Sequence, residues 1–393
     1  MRGRRALVRV DFNVPQEGEG DRRSIVSDAR IRATVPTIRA LGDGGAIVVL
    51  ASHLGRPKGR RVDALSLRPV AEHLEGLLGR EVTFLEDPFG DQTEDQVAGA
   101  AAGAVFLLEN LRFHREEEAN DPAFARRLAG YGDFFVQDAF GTCHRAHAST
   151  VGVTAHLEPC VAGLLVEREL AAFRRLLDDP ERPLVAILGG AKISGKLETV
   201  RGLAARCDRV CLGGGMANTF LKAGGAEIGA SLVEDDLVGE AAALLEAHGE
   251  RILLPTDAVV ARALAPGATT RTVASGGVPP EWKILDIGPD AVAAIGAVLG
   301  EAQTVFWNGP VGVFETPPFD AGTRRVAEYL AAATARGAYT VAGGGDCVAA
   351  IEQADLVDTV SHVSTGGGAA LELLSGAALP GIVALDPQPA GRA

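Results

Sequence analysis

The sequence has few aromatic side chains, few cysteines and no long apolar run. Aromatic residues make up 5% of the 393 residues, so the interior must be built mainly from aliphatic side chains. The five cysteines are odd in number and contain no C-x-x-C pair, which argues against a disulfide framework and fits a reducing compartment. No apolar run approaches the ~18 residues of a membrane-spanning helix, and no signal-peptide core follows the start. We therefore expect a cytoplasmic protein.

The chain also lacks an excess of positive charge. Its formal net charge is -13, whereas phosphate backbones and anionic headgroups attract basic surfaces. Nucleic acid and membrane surfaces are therefore excluded as general partners. An anionic ligand must be small and held locally.

What the chain does have is apolar residues (47%) and 49 glycines, arranged as short aliphatic runs between stretches of helical spacing. This pattern predicts β-α-β units with mainly parallel sheets, and the length favours two domains. The predicted strands are 6–10, 46–50, 82–85, 104–108 and 133–136 in the first half, and 184–188, 209–212, 252–254, 304–307 and 339–342 in the second. The spacing over 166–179 predicts an interdomain helix that ends before Pro180 and Pro183.

In an open α/β sheet, ligands bind at the carboxyl ends of the strands. In the first half, arginines and histidines follow the strands, and Arg30 lies on the next predicted helix. The guanidinium fork pairs well with phosphate and carboxylate oxygens, so this edge is predicted to bind an anion with more than one charge. The segments concerned are 11–13, 52–56, 109–113 and 141–147.

In the second half, the strands are followed by glycine-rich turns, which let backbone N–H groups approach a phosphate. Lys192 and Lys196 can offset phosphate charge, and Asp346 can hold Mg²⁺ carried by a nucleotide. These turns are 189–196, 213–215, 308–310, 343–346 and 365–368. The second half is therefore predicted to bind a nucleotide.

Each of these features has a simpler interpretation. Glycine turns also cap helices, Asp11 and Asn13 are common turn residues, and Arg30 and Arg112 could be solvated surface charges. Two nucleotide motifs are nearly present. The Walker A pattern at 190–196 fails because Leu197 replaces the Ser or Thr, and the dinucleotide pattern at 213–218 fails at its last glycine.

Nine segments together resemble the phosphoglycerate kinase family in order and spacing. They are VRVDFNVP, SDARIRA, SHLGRP, LLENLRF, VQDAFGTCHRAHAS, ILGGAKISGKLE, VFWNGPVGVFE, VAGGGD and VSTGGGA, and they extend from near residue 7 to near residue 383. The resemblance implies two doubly wound, Rossmann-like α/β domains joined by an interdomain helix and hinge. It implies an acid-binding domain at 1–165, a nucleotide-binding domain at 166–370, and a segment at 371–393 that returns to the first domain.

The resemblance also implies roles for individual residues. In the first domain, 3-phosphoglycerate or 1,3-bisphosphoglycerate would be bound by Asp11, Phe12, Asn13, Arg30, His53, Leu54, Gly55, Arg56, Arg112 and Arg145. In the second, Mg²⁺ with ATP or ADP would be bound by Lys196, Gly213, Asn308, Glu315, Gly344, Gly345, Asp346 and Cys347, with Glu315 on the ribose and Asp346 on the metal. The catalytic residues around the transferred phosphoryl group would be Arg30, Lys192, Gly367 and Gly368.

The implied activity is reversible phosphoryl transfer between the acyl phosphate and ADP by a monomer. Two alternatives stay open: an inactive protein that binds both ligands, and a kinase acting on acetate or aspartate.

At Cys347 the family more often has Thr or Ser. The thiol is either reactive at the phosphate site or simply packed under the turn. The family also usually begins slightly earlier, so we expect that Met1 is internal or that an edge segment is missing. The tail from Asp386 on is predicted to be unstructured.

Overall fold

Each half of the chain forms one parallel sheet in the computed structural model, which describes residues 1–18 and 23–386. The chain divides into two units. Unit 1 comprises Met1–Leu170 and the residues from Ala378 on, and unit 2 comprises Ala171–Ala377.

Unit 1 is built around a six-stranded parallel sheet in the order β5-β6-β4-β1-β7-β8. The strands are β1 (Arg5–Val10), β2 (Gln16–Glu17), β3 (Ser24–Ile25), β4 (Ile47–Ala51), β5 (Val82–Leu85), β6 (Val105–Leu108), β7 (Phe134–Asp138) and β8 (Cys160–Ala162), with β2 and β3 forming a separate antiparallel pair. The central strands are buried on both faces, as their continuous aliphatic sequences require.

Helices cover both faces of this sheet. They are α1 (Ala29–Asp43), α2 (Arg68–Leu78), α3 (Asp91–Ala98), α4 (Arg115–Glu118), α5 (Pro122–Ala129) and α6 (Leu164–Leu177). Alternate residues of β1 enter different cores: Ala6 and Val8 pack with residues of α1 and α2, whereas Leu7 packs with residues of α5. The period-2 alternation of strand side chains therefore produces two apolar layers.

Unit 2 contains the second six-stranded parallel sheet, in the order β12-β10-β9-β17-β18-β19. The strands of unit 2 are β9 (Leu184–Leu188), β10 (Arg209–Leu212), β11 (Glu227–Ile228), β12 (Ile252–Leu253), β13 (Asp257–Ala261), β14 (Arg271–Ala274), β15 (Gly277–Val278), β16 (Lys283–Ile287), β17 (Thr304–Asn308), β18 (Tyr339–Gly343) and β19 (His362–Ser364). Counted in chain order, the six strands of the main sheet follow the doubly wound order 3-2-1-4-5-6. The order reverses between β9 and β17, which is where such folds bind ligands.

The helices of unit 2 follow its strands. They are α7 (Leu197–Arg206), α8 (Gly214–Ala223), α9 (Val238–His248), α10 (Pro289–Glu301), α11 (Ala321–Ala335), α12 (Gly345–Gln353) and α13 (Gly368–Leu374), and a last helix, α14 (Pro380–Val383), lies in unit 1. No helix in the described ranges is both long and apolar enough to span a bilayer. The predicted fold class, α/β with two doubly wound parallel sheets, is confirmed.

The structure differs from the sequence predictions in several places, including the short strands β2, β3, β8 and β19, which were not predicted. An antiparallel sheet in the order β14-β13-β16 was not predicted; β14 is mostly exposed and β16 begins with an exposed residue, so neither is buried along its whole length. Helix α6 begins before the predicted position because the Asp138 carboxylate accepts hydrogen bonds from the N–H groups of Leu165 (2.9 Å) and Val166 (3.5 Å). Asp386, predicted to be unstructured, pairs with Cys160 through N–H to O (3.0 Å) and through its carboxylate (2.7 Å). The rest of that tail lies outside the described residues.

Candidate functional site

Polar residues that follow β1 and β4 form a hydrogen-bonded group at the carboxyl edge of the first sheet. Arg30, near the start of α1, donates from Nη1 to the backbone oxygen of Asn13 (3.0 Å) and lies 3.2 Å from a carboxylate oxygen of Asp11. The Asn13 side chain accepts from the N–H of Gly55 (2.9 Å). Four of the predicted acid-binding residues are thus brought together.

Two other predicted residues face the core. Phe12 is fully buried and Leu54 is 4% exposed. Their N–H groups donate to Ser52 Oγ (2.9 Å) and to Asn110 Oδ1 (3.2 Å). Phe12 and Leu54 therefore anchor the loops, and only their backbone atoms can reach a ligand.

The remaining predicted arginines lie on the neighbouring loops. Arg112 is buried in a 3₁₀ turn, where it donates from Nη1 to Gly55 O (2.9 Å) and lies 3.3 Å from Glu118. Arg145 is half-buried and donates to the His144 ring (3.0 Å), and Arg56 is exposed. The Arg112 side chain is thus enclosed and hydrogen-bonded, whereas the Arg56 side chain is open to solvent.

The sequence reasoning did not single out Arg9. This residue is fully buried in β1, with a guanidinium nitrogen 3.2 Å from His53 Nδ1. Burial together with the charge of Arg9 lowers the pKa of Arg112 to about 10 and that of His147 to about 4, and it holds the pKa of His53 well below its usual value. The sequence did contain a signal for Arg9, because this charged residue interrupts an otherwise apolar predicted strand (6–10).

The electrostatics of this cluster point to an anion. The buried histidines are held neutral by burial and, after it, by repulsion from the neighbouring arginines. A ligand that brings negative charge would relieve that repulsion. We refer to Arg9, Arg30, His53, Arg112 and Arg145 as the basic cluster.

In unit 2, a lysine lies at the point where the strand order reverses. Lys196 precedes α7, and its Nζ donates to the backbone oxygen of Gly189 (2.6 Å) and to Asn308 Oδ1 (2.7 Å). The Asn308 amide in turn donates to Gly343 O (2.8 Å), so the ends of β9, β17 and β18 are tied together. Burial lowers the pKa of Lys196 to about 8.

A cleft of about 480 Å³ opens beside this lysine. Glu315 and Asp346 are exposed on its lining, and Val311, Leu285 and Leu221 give it apolar walls. Apolar walls with a few polar groups suit a flat aromatic base carrying a polar tail. The cleft therefore has the composition of a nucleotide site.

Glycines shape the phosphate side of the cleft. A side chain on Gly189 would clash with the carbonyl of Pro310, and Gly344, with φ of 93°, precedes α12. Gly213 precedes α8, and Gly345 is the first residue of α12. Within the described residues, the first three N–H groups of α12 have no backbone partner and favour phosphate, whereas α8 starts partly paired, because Gly214 N and Met216 N donate to Val311 O (2.9 Å) and Gly190 O (3.0 Å).

The predicted catalytic residues of unit 2 lie on loops at the same edge. Lys192 is exposed, and its loop is fixed because Ile193 N and Ser194 N donate to Glu234 (2.6 and 3.1 Å). Gly367, with φ of 49°, precedes α13, and Gly368 is its first residue. The positive φ of Gly367 allows a sharp entry into α13.

The position of Cys347 decides between the two hypotheses for its thiol. Its side chain is fully buried, with the thiol directed at Trp307 O (3.7 Å), and burial raises its pKa to about 12. The hypothesis of a reactive thiol is therefore wrong, and the packed alternative holds. Only the backbone N–H of Cys347, in the first turn of α12, can serve a phosphate.

Asp286 on β16 is a cleft residue that the sequence reasoning missed. It is 2% exposed, and its carboxylate accepts from the N–H groups of Gly322 (2.8 Å) and Ile287 (2.9 Å). Burial raises its pKa to about 7. The available signal was the apolar stretch around Asp286, bounded by Pro279–Pro280 and Gly288–Pro289.

A basic cluster on one doubly wound sheet and an apolar cleft edged by glycine turns on another are the arrangement expected of a kinase of small anionic substrates. The phosphoglycerate kinase family model matches residues 1–377. The chain is 51% identical over 389 residues to phosphoglycerate kinase of Synechococcus elongatus and 53% identical over 389 residues to that of a Nostoc species, covering 98% of this chain and 96% of each relative.

Solved structures agree with the sequence relatives. Phosphoglycerate kinase from Coxiella burnetii matches with a TM-score of 0.84 at 38% identity, and that from Pyrococcus horikoshii with 0.85 at 32%, each over 98% of this chain and 96% of the other. The chain belongs to the phosphoglycerate kinase family. Its activity is that of an ATP:3-phosphoglycerate 1-phosphotransferase, a glycolytic kinase.

Proposed function

We propose that the basic cluster of unit 1 binds 3-phosphoglycerate or 1,3-bisphosphoglycerate, and that the cleft of unit 2 binds ATP or ADP. The observation that carries the proposal is the positive charge of the four arginines in the basic cluster; burial, and after it this charge, lowers the pKa of Arg112 to about 10 and that of His147 to about 4. A doubly charged phosphate and a carboxylate would compensate it. Of the predicted acid-binding residues, Phe12, Leu54 and Gly55 would contribute backbone atoms only.

In unit 2, we assign the phosphates to Lys196 and to the glycine turns at Gly213, Gly344 and Gly345, and the ribose to Glu315. Asn308 would orient the Lys196 ammonium, because it accepts from Nζ (2.7 Å). The base would occupy the apolar wall of the cleft.

Magnesium fits this donor set. Mg²⁺ is commonly held by one or two carboxylates together with substrate phosphates, and the exposed Asp346 beside the phosphate side of the cleft supplies one carboxylate. When bound, the ion would neutralise phosphate charge. Asp346 is thus the residue that would hold it.

The chemistry needs no general base. The accepting carboxylate is already ionised at neutral pH, since carboxyl groups titrate near ~4. Catalysis then depends on positioning and on neutralising the charge of the transferred group. Arg30, Lys192 and the N–H groups of Gly367 and Gly368 are the groups that we assign to this role.

We further propose that the enzyme acts as a monomer in the cytoplasm, with no nucleic-acid or membrane partner. The net charge of -13 supports the absence of nucleic acid and anionic membranes as partners.

A coupled assay offering ATP with 3-phosphoglycerate, acetate or aspartate tests the substrate. We expect turnover with 3-phosphoglycerate alone; turnover with acetate or aspartate, or none at all, would overturn the proposal. Arg112→Gln tests the site and should raise the KM for 3-phosphoglycerate by about tenfold or more, because a charge-assisted hydrogen bond is lost. Arg68→Gln is the matched control, since Arg68 is an exposed arginine of unit 1 that pairs with Glu86 (2.9 Å).

A further inference from the structure

Arg9 is a buried cation whose contacts are all internal. Its Nε donates to Ser149 Oγ (2.7 Å), its Nη1 donates to the backbone oxygen of Val10, and its Nη2 lies 3.2 Å from His53 Nδ1. The residue is 0% exposed. Arg9 therefore cannot touch a ligand, and apart from its charge it can act on one only through a neighbouring side chain.

The counter-charge of Arg9 is supplied through a serine. Glu117 is also 0% exposed, and it accepts from both Ser149 Oγ (2.6 Å) and Ser149 N (3.0 Å). A serine hydroxyl has one proton, so if this proton goes to Glu117 the oxygen must accept from Arg9. Donation runs in one direction, from Arg9 to Ser149 and from Ser149 to Glu117.

The same reasoning fixes the proton of His53. A guanidinium can only donate, so His53 Nδ1 must be the acceptor, and a neutral imidazole with an accepting Nδ1 has its proton on Nε2. Among the described residues, the carboxylate near Nδ1 is that of Asp11, at 3.9 Å, which is too far for a hydrogen bond.

Protonation of both ring nitrogens is also opposed. Burial, and after it the charges of Arg9, Arg30, Arg112 and His147, disfavours a second proton on His53 and outweighs the Asp11 carboxylate 3.9 Å from Nδ1. Within the described residues, Nε2 makes no hydrogen bond, and His53 is 4% exposed. The Nε2–H group is therefore a donor without an internal acceptor.

We propose that Glu117, Ser149 and Arg9 form a positioning relay that holds His53 neutral with its proton on Nε2, so that His53 serves the basic cluster as a hydrogen-bond donor. His53 then acts neither as a cation nor as a base. The identity of the ligand, 3-phosphoglycerate, rests on the proposed function; the relay itself does not. Arg9, Ser149 and Glu117 are positioning residues, since they act through His53.

The apo enzyme tests the relay directly. In ¹⁵N-labelled full-length protein, with the His53 signals assigned by comparison with His53→Gln, two-dimensional NMR distinguishes the two tautomers and the charged ring. We expect a single neutral Nε2–H form between pH 6 and 8. A proton on Nδ1, or a charged ring at neutral pH, overturns the proposal.

Ser149→Ala tests whether the relay sets this state. It removes the link between Arg9 and Glu117 while keeping both charges, and we expect a mixture of His53 states with a KM for 3-phosphoglycerate raised about five- to tenfold at little-changed kcat. Ser66→Ala is the matched control, because the Ser66 hydroxyl also donates to a buried glutamate, Glu109 (2.7 Å), with no link to Arg9. If the two variants behave alike, the relay is refuted.

Arg9→Met gives a second measurement that does not depend on Ser149. Loss of the Arg9 donor to Nδ1 should allow the proton to occupy either nitrogen of His53. If this variant folds poorly, Ser149→Ala decides the question alone. Addition of 3-phosphoglycerate to the wild type should shift the Nε2 signal of His53. This experiment tests which ligand binds, whereas the tautomer of the ligand-free enzyme tests the relay.

Discussion

Lys196 should make nucleotide binding depend on pH above the neutral range. Burial lowers the pKa of its ammonium from the ordinary 10.5 to about 8, because the hydrogen bonds to Gly189 O and Asn308 Oδ1 replace water without supplying a full negative charge. Nucleotide phosphates would supply that charge and raise the pKa again. Binding should therefore take up a proton wherever the apo lysine is neutral.

The size of the effect follows from the shift. If the pKa is about 8 in the apo enzyme and above 10 in the complex, about one tenth of the apo enzyme is charged at pH 9, so affinity falls by about tenfold, or ~1.4 kcal/mol, relative to pH 7. At pH 8.5 each bound nucleotide should take up about 0.8 proton. Below pH 7 this contribution should vanish, since the lysine is already charged.

Calorimetric titration with Mg²⁺ and ADP at pH 8.5, in two buffers of different ionisation enthalpy, measures this uptake. Lys196→Met should bind more weakly and take up no proton. Lys222→Met is the matched control, because Lys222 is an exposed lysine of α8 paired with Asp235 (2.6 Å), and it should behave as the wild type. Equal heats in both buffers for the wild type would refute the reasoning.

Three further outcomes are expected. Lys192→Ala should lower kcat by about a hundredfold or more while changing nucleotide affinity much less, because its charge would act on the transferred group; an equal loss of affinity, measured by calorimetry, would make it a binding residue only. For Asp286, burial raises the pKa to about 7, so the stability that this carboxyl contributes is full in acid and is lost as pH rises through 7. Asp286→Asn should therefore gain free energy of unfolding relative to the wild type between pH 5 and 8, by about 2–3 kcal/mol, in urea titrations; a constant difference would contradict this. Cys347 should resist alkylation in the native enzyme with or without Mg²⁺ and ADP, as mass spectrometry would show, and should react only after unfolding, because its thiol is fully buried; labelling of the native enzyme would refute this.

The parallel sheets could be predicted because fully buried strands read as continuous aliphatic runs. Strands such as Ile47–Ala51 and Leu184–Leu188 have no exposed residue, so their sequences have no competing interpretation. Arg271–Ala274 in the antiparallel sheet is mostly exposed, and its mixed sequence carries no such signal. Because the parallel strands could be predicted, the site residues at their carboxyl ends could be predicted too. The strand Lys283–Ile287, which forms a wall of the cleft, belongs to the antiparallel sheet and was not predicted.

The sequence could not predict which side chains of the site are buried. Arg30 and Arg112 were both read as candidate anion ligands, but only the fold tells that Arg112 is enclosed and Arg30 is half-exposed. Position alone also could not choose between the two hypotheses for Cys347, since a thiol at a helix start can be reactive or packed. The fold decides because the side chain is directed away from the turn, toward Trp307.

The return of the chain to unit 1 has a consequence for synthesis on the ribosome. Gly381 donates to Cys143 O (2.8 Å), and Asp386 pairs with the strand that contains Cys160, so contacts of unit 1 depend on residues translated after the whole of unit 2. During translation, unit 1 therefore cannot complete its folding until these residues leave the exit tunnel. For the same reason, a premature stop codon after Ala377 would weaken the unit farther away in sequence and leave the neighbouring one complete.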